Sequence, residues 1–217
     1  MGKTDRAMLD ALLDRYGRTF AGEAGIRLAD QPKPLYQLLV LAKLLSARIS
    51  AEVAVAAARE LFAAGCATPK GMLVASWQDR VDALGRGHYR RYDERTATML
   101  GNGAQLLVER WKGDLRRLRD EAGGDPGRIT SLLMEFPGIG PTGADIFLRE
   151  VQAVWPEVAP HLDQRVLEGA GRLGLPRQER PLAALAHDNG ELARLSAALV
   201  RVSRSGKTAD ELKAAVR

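Results

Sequence analysis

Between Glu135 and Val151 the chain reads EFPGIGPTGADIFLREV. Gly138 and Gly140 stand either side of Ile139, prolines flank them at 137 and 141, and Gly143 follows. Amphipathic segments lie on both sides, RITSLLME before and TGADIFLREVQAV after. This spacing suits a tight turn between two helices. Gly138 and Gly140 can adopt positive φ and let another backbone come close, with Ile139 as an apolar plug between them. The second helix then presents unpaired N–H groups and the positive end of its dipole, which together suit an anion. An ordinary corner between two helices also uses glycine, so the turn alone leaves both readings open.

The rest of the chain sets a helical context. In PLYQLLVLAKLLSA, Leu35, Leu38, Leu39, Ala42 and Leu45 recur at helical spacing behind Pro34. This segment is apolar nearly all round, which makes it central. AEVAVAAARELFAAG is opened by Ser50 and closed by Gly65. Thr68 caps TPKGMLVAS, Ser76 with Asp79 forms a capping-box-like start, and Asp125 caps DPGRITSLLMEF. The long segment after the basic loop turns Thr96, Met99, Leu100, Leu106 and Leu107 inward, with Gly101 and Gly103 either weakening the helix or letting something pack close. Both ends, MLDALLDRYGRTF and NGELARLSAALVRVS with TADELKAAVR, are helical too. No stretch alternates at period two, so the expectation is an all-α fold of about ten helices. AGIRLADQPKP is the best linker candidate.

Hydrophobic residues make up 46% of the 217 residues and aromatics only 5%, so the core must be Leu, Ala and Val. The formal charge of +5 favours an anionic partner, nucleic acid first, or simply a solvated basic surface. The single cysteine, Cys66, excludes an intramolecular disulfide and a cysteine-rich metal site, and reads as a small buried side chain. His88, His161 and His187 show no ligand spacing. No apolar run is long enough to span a membrane and the N-terminus has no signal-peptide core, so a cytoplasmic protein is expected.

The full string from Phe136 to Ala144, hydrophobic-Pro-Gly-hydrophobic-Gly followed by an amphipathic helix, resembles the helix-hairpin-helix of DNA repair enzymes. Two further pieces appear in matching order. PLYQLLVLAKLLSARIS looks like the early helix of the endonuclease III superfamily of DNA glycosylases, which ends in LLSAQ, and VAPHLDQRVLEGAGRLGLP looks like its Gly/Pro-rich loop and aspartate. The similarity covers residues 30 to 176. It implies two helical lobes flanking a DNA-binding cleft: 34–151, carrying the helix-hairpin-helix at 126–154, and 1–31 with 155–217. It also implies backbone-phosphate binding by Gly138, Ile139, Gly140, Thr142 and Gly143, a grip that reads no sequence.

The family aspartate maps onto Asp163, in Leu162-Asp163-Gln164-Arg165-Val166 where V-D-x-x-V-x-R is usual. Its implied role is to favour the positive charge that builds at C1′ and to orient or deprotonate water; read on its own, Asp163 is a helix N-cap. Bifunctional members carry a lysine at the slot filled here by Thr142. Threonine cannot form a Schiff base, so the resemblance implies a monofunctional, hydrolytic enzyme. Gly143-Ala144-Asp145 looks more like the alkylated-base branch. With Cys66 alone the four-cysteine iron–sulfur loop of many members has no counterpart, so no cofactor is expected beyond a monovalent cation at the hairpin. The run from Thr142 to Asp163 is a few residues longer than usual.

Arg48 takes the place of the glutamine that fills the space of a flipped base; alternatively it is a surface charge at a helix end. In GRGHYRRYDERTA, Arg86, His88, Arg90, Arg91 and Arg95 alternate with Tyr89 and Tyr92, where the family places a DNA wedge. Arg90, Arg91 and Tyr92 are the wedge candidates; the other reading is a solvated loop whose tyrosines pack inward. The expected function is removal of a damaged base from double-stranded DNA by a monomer, nucleoid-associated in a bacterium. The alternative is a helix-hairpin-helix protein that recognises DNA without chemistry. The base itself is not legible.

Overall fold

The computed structural model describes residues 3–215, and among these there are fourteen α-helices, one 3₁₀ turn and no strand. The all-α expectation holds. The helices are α1 Lys3–Tyr16, α2 Phe20–Glu23, α3 Pro32–Leu45, α4 Ala51–Ala63, α5 Pro69–Val74, α6 Trp77–Arg86 and α7 Asp93–Trp111. They continue with α8 Leu115–Glu121, α9 Pro126–Leu133, α10 Pro141–Val151, α11 Gln164–Leu173, α12 Glu179–Ala183, α13 Asn189–Arg204 and α14 Gly206–Ala215, with the 3₁₀ turn at Pro156–Val158. The count exceeds ten partly because α2 and α12 are too short to show periodicity. The last two residues of TADELKAAVR lie outside the described residues. No described helix is long and apolar enough to cross a membrane.

Local chemistry sets the helix starts. The side chains of Ser50, Thr68, Asp125 and Asp188 accept the N–H of Val53, Gly71, Arg128 and Glu191. Ser76 and Asp79 form a reciprocal capping box. Gly65, at φ +91, follows the end of α4.

The chain divides into two compact units, Ala21–Phe147 and the remainder, so the boundary falls inside α10 between Phe147 and Leu148. AGIRLADQPKP therefore lies within the first unit and links nothing to it. That unit is built round α3, where Leu35, Leu38, Leu41, Ala42 and Leu44 are fully buried. Helix α3 packs on α4 and α8, α4 on α6, and α7 receives α5, α6 and α8. Gly101 of α7 admits the Arg80 guanidinium, whose Nη2 would be 3.0 Å from a methyl group there. Arg80 also donates to the carbonyls of Met72, Ala75 and Ala97, tying α5, α6 and α7 together.

In the second unit α11 lies flat on α13, and α1 packs on α13 and α14. Gly169 makes the first contact possible, since a methyl group there would come within 2.7 Å of the Leu199 carbonyl carbon. Glu150 of α10 is buried and accepts the Phe20 N–H at 2.7 Å.

Candidate DNA-binding hairpin and catalytic aspartate

Within the first unit α9, the turn and α10 form the expected hairpin. The side chain of Phe136 stacks on Trp111 with ring centroids 5.5 Å apart. Arg110 pairs with Glu121 at 2.6 Å and with Glu135, and the Trp111 indole N–H donates to Glu121 at 2.7 Å. These contacts brace the entry to the turn. Gly138 takes φ +77, a conformation costly to other residues. Gly140 does not, which corrects the expectation of positive φ at both glycines. A methyl group on Gly140 would meet nothing, so neither conformation nor internal packing demands glycine there; the space lies open.

The Ile139 side chain is buried against Gly143, so only its main chain is left to meet a ligand. Among the described residues the amides of Gly140, Thr142 and Gly143 have no acceptor, as the first turn of a helix requires. Thr142 is exposed. Ser46, one residue past α3, stands 3.6 Å from a methyl group built on Gly143, so the end of α3 abuts the start of α10. Arg48, exposed, follows two residues later.

The basic loop is shorter than its sequence suggests, because Arg86 ends α6 and Asp93 opens α7, leaving Gly87–Tyr92. Tyr89 is fully buried, with its hydroxyl 3.4 Å from Thr96 Oγ1, and burial pushes its pKa up. It packs inward rather than towards a base. Arg90 and Arg91 are exposed and Tyr92 half-buried, the Arg91 guanidinium standing 5.2 Å over the Tyr92 ring.

Asp163 belongs to the second unit. Its Oδ1 accepts the Val166 N–H at 3.1 Å, capping α11. Its Oδ2 lies 3.1 Å from Arg149 Nη1, and the two side chains are 11% and 8% exposed. The loop before Asp163 is tied to α10 by the fully buried Gln152, which accepts the His161 N–H at 3.0 Å and donates to the Arg149 carbonyl at 2.8 Å. Glu179 accepts the Leu162 N–H at 3.3 Å. The cap and the ion pair together fix the carboxylate, one oxygen each. Arg149 and Gln152 were not singled out from sequence. The available signal was two polar residues, Arg149 and Glu150, in the apolar last turn of α10, with Gln152 just past its end.

Cys66 is fully buried, and burial raises its thiol pKa. As the chain's one thiol it does not fit the four-thiolate cluster of many endonuclease III-like enzymes.

No protein-family model matches this chain, and no curated protein matches it. Among solved structures it is similar to a non-covalent endonuclease III–DNA complex, with 18% identity over 92% of this chain and 85% of that one, at a TM-score of 0.52. A trapped endonuclease III–DNA covalent intermediate, an estranged-adenine complex, aligns over the same shares at 18% identity with a TM-score of 0.47. The protein thus has the all-helical fold of endonuclease III, helix-hairpin-helix included.

Proposed function

We propose that this protein is a monofunctional DNA N-glycosylase, which extrudes a damaged or modified base from duplex DNA and replaces the C1′–N bond by a C1′–O bond to water. The observation that carries the reading is exposed Thr142 at the head of the hairpin helix, a hydroxyl where strand-cutting relatives present an amine. A hydroxyl there forms no imine, so the abasic sugar would be released with its strand intact. The endonuclease III structure of the same fold is a complex with DNA, which supports DNA as the ligand.

In this reading the open amides of Gly140, Thr142 and Gly143 receive a backbone phosphate. Arg48, Arg90, Arg91 and Tyr92 occupy the duplex where the base has left. Asp163 supplies the negative charge that favours the developing cation at C1′ and directs the attacking water.

A second reading is a DNA-binding protein without chemistry. It is favoured by the commitment of both Asp163 oxygens, one to the cap and one to Arg149.

Borohydride added to the protein with abasic duplex should give no covalent adduct; a strong adduct would contradict the water route. Arg90→Ala with Arg91→Ala should weaken duplex binding. The slope of log K against log salt should flatten by about 0.9 for each arginine that meets a phosphate. Unchanged affinity and slope would remove the loop from the interface.

A further inference from the structure

Lys43 is the one charge in the apolar segment PLYQLLVLAKLLSA, and it sits in the last turn of α3, whose other faces are buried. Its side chain is half-buried and runs up to the hairpin. A methyl group built on Gly138 would be 3.0 Å from Lys43 Nζ and 2.6 Å from Met99 Sδ. The amine borders a narrow recess of about 20 Å³, room for roughly one water, walled by Tyr36, Met99, Phe136, Pro137 and Ile139.

Among the described residues the Lys43 amine has no hydrogen bond and no ion pair, although the Lys43 carbonyl accepts from the Ser46 hydroxyl at 2.8 Å. Arg95, exposed and without an ion pair among the described residues, stands one helical turn before Met99 on α7, and Met99 borders the same Gly138 as the Lys43 amine. Burial first, and Arg95 second, lower the Lys43 pKa, so the free protein pays to keep this amine protonated. An anion between the two cations would offset their repulsion and compensate the buried charge.

We propose that Lys43 and Arg95 form a two-cation clamp for a phosphodiester of the DNA strand held at the hairpin. This site rests on the DNA-binding reading and adds to it a contact from α3 and α7, outside the hairpin itself. The clamp is selective for position rather than sequence, because a phosphate carries no base information. It is also strongly salt-dependent, since both cations give up condensed counterions from the DNA.

The test uses the full chain and a duplex with a stable tetrahydrofuran abasic analogue, titrated at several salt concentrations. Lys43→Met keeps the packed stem and removes the charge. It should weaken binding and lower the salt slope by about 0.9, with Lys43→Arg restoring the slope. Arg95→Gln, at an exposed position that leaves folding alone, should lower the slope by the same amount. The melting temperature of Lys43→Met should not fall below wild type, because an uncompensated buried charge has gone. An unchanged slope in Lys43→Met and Arg95→Gln, with wild type still binding, overturns the clamp and leaves the DNA reading intact. Absence of salt-dependent binding by wild type overturns both. A borohydride adduct lost in Lys43→Met would make the amine a nucleophile and overturn the clamp.

Discussion

Asp163→Asn should lower base release by at least about 10²–10³-fold, the scale of losing one electrostatic stabiliser of a transition state. The substitution removes the negative charge and, with it, the ion pair to the buried Arg149, so folding of the variant is checked alongside. Asparagine caps a helix as well as aspartate does, so the Val166 N–H keeps its acceptor and α11 keeps its start. The side-chain carbonyl can take the place of the carboxylate oxygen that lies 3.1 Å from Arg149 Nη1. The loop stays tied to α10 through Gln152, and Leu162 through Glu179. DNA affinity should therefore remain within a few-fold of wild type, because the hairpin amides belong to the other compact unit. Single-turnover release measured alongside equilibrium binding checks both parts. Undiminished release in a folded Asp163→Asn protein would make the aspartate a structural cap and nothing more.

Arg149→Met should be the most destabilising change at this site, costing about 3–5 kcal/mol. At 8% and 11% exposure both members of the pair have lost most of their water. Methionine fills much of the arginine stem but leaves the Asp163 carboxylate buried with only the cap N–H. That uncompensated charge, rather than the lost attraction, supplies most of the cost. Chemical denaturation of the single variants and of Arg149→Met with Asp163→Asn separates the two contributions. The double variant should recover part of the loss, since no buried charge is then left alone. A loss of under about 1 kcal/mol in Arg149→Met would place the pair among surface-like contacts that contribute little.

The parts of this fold legible in the sequence are those decided by near neighbours. Ser50, Thr68, Ser76 with Asp79, and Asp125 cap helices because their acceptors reach N–H groups only a turn away. The Pro-Gly-Ile-Gly turn is legible for the same reason, and so is Asp163 as a cap. What was hidden depends on partners brought from elsewhere. Arg149 finds Asp163 across a loop, and only the structure decides that Tyr89 packs inward, one of the two readings its loop left open. Gly140 has the composition of a strained turn without its φ. Lys43 carried no motif context in the sequence, and only the approach of Gly138 gives its amine one. The boundary inside α10 was not legible, because helical periodicity continues unbroken across it.

The central claim is that this protein releases a base by hydrolysis and leaves the strand whole. The most direct measurement incubates it with duplexes each holding one lesion: uracil, thymine glycol, hypoxanthine, an alkylated adenine, 8-oxoguanine opposite adenine, or an abasic site. Each product is run with and without hot alkali. The account predicts cuts at one of the lesion bases that show only after alkali, and no cut at the abasic site without it. Cuts before alkali, or tight binding with no cut at any lesion, would contradict it.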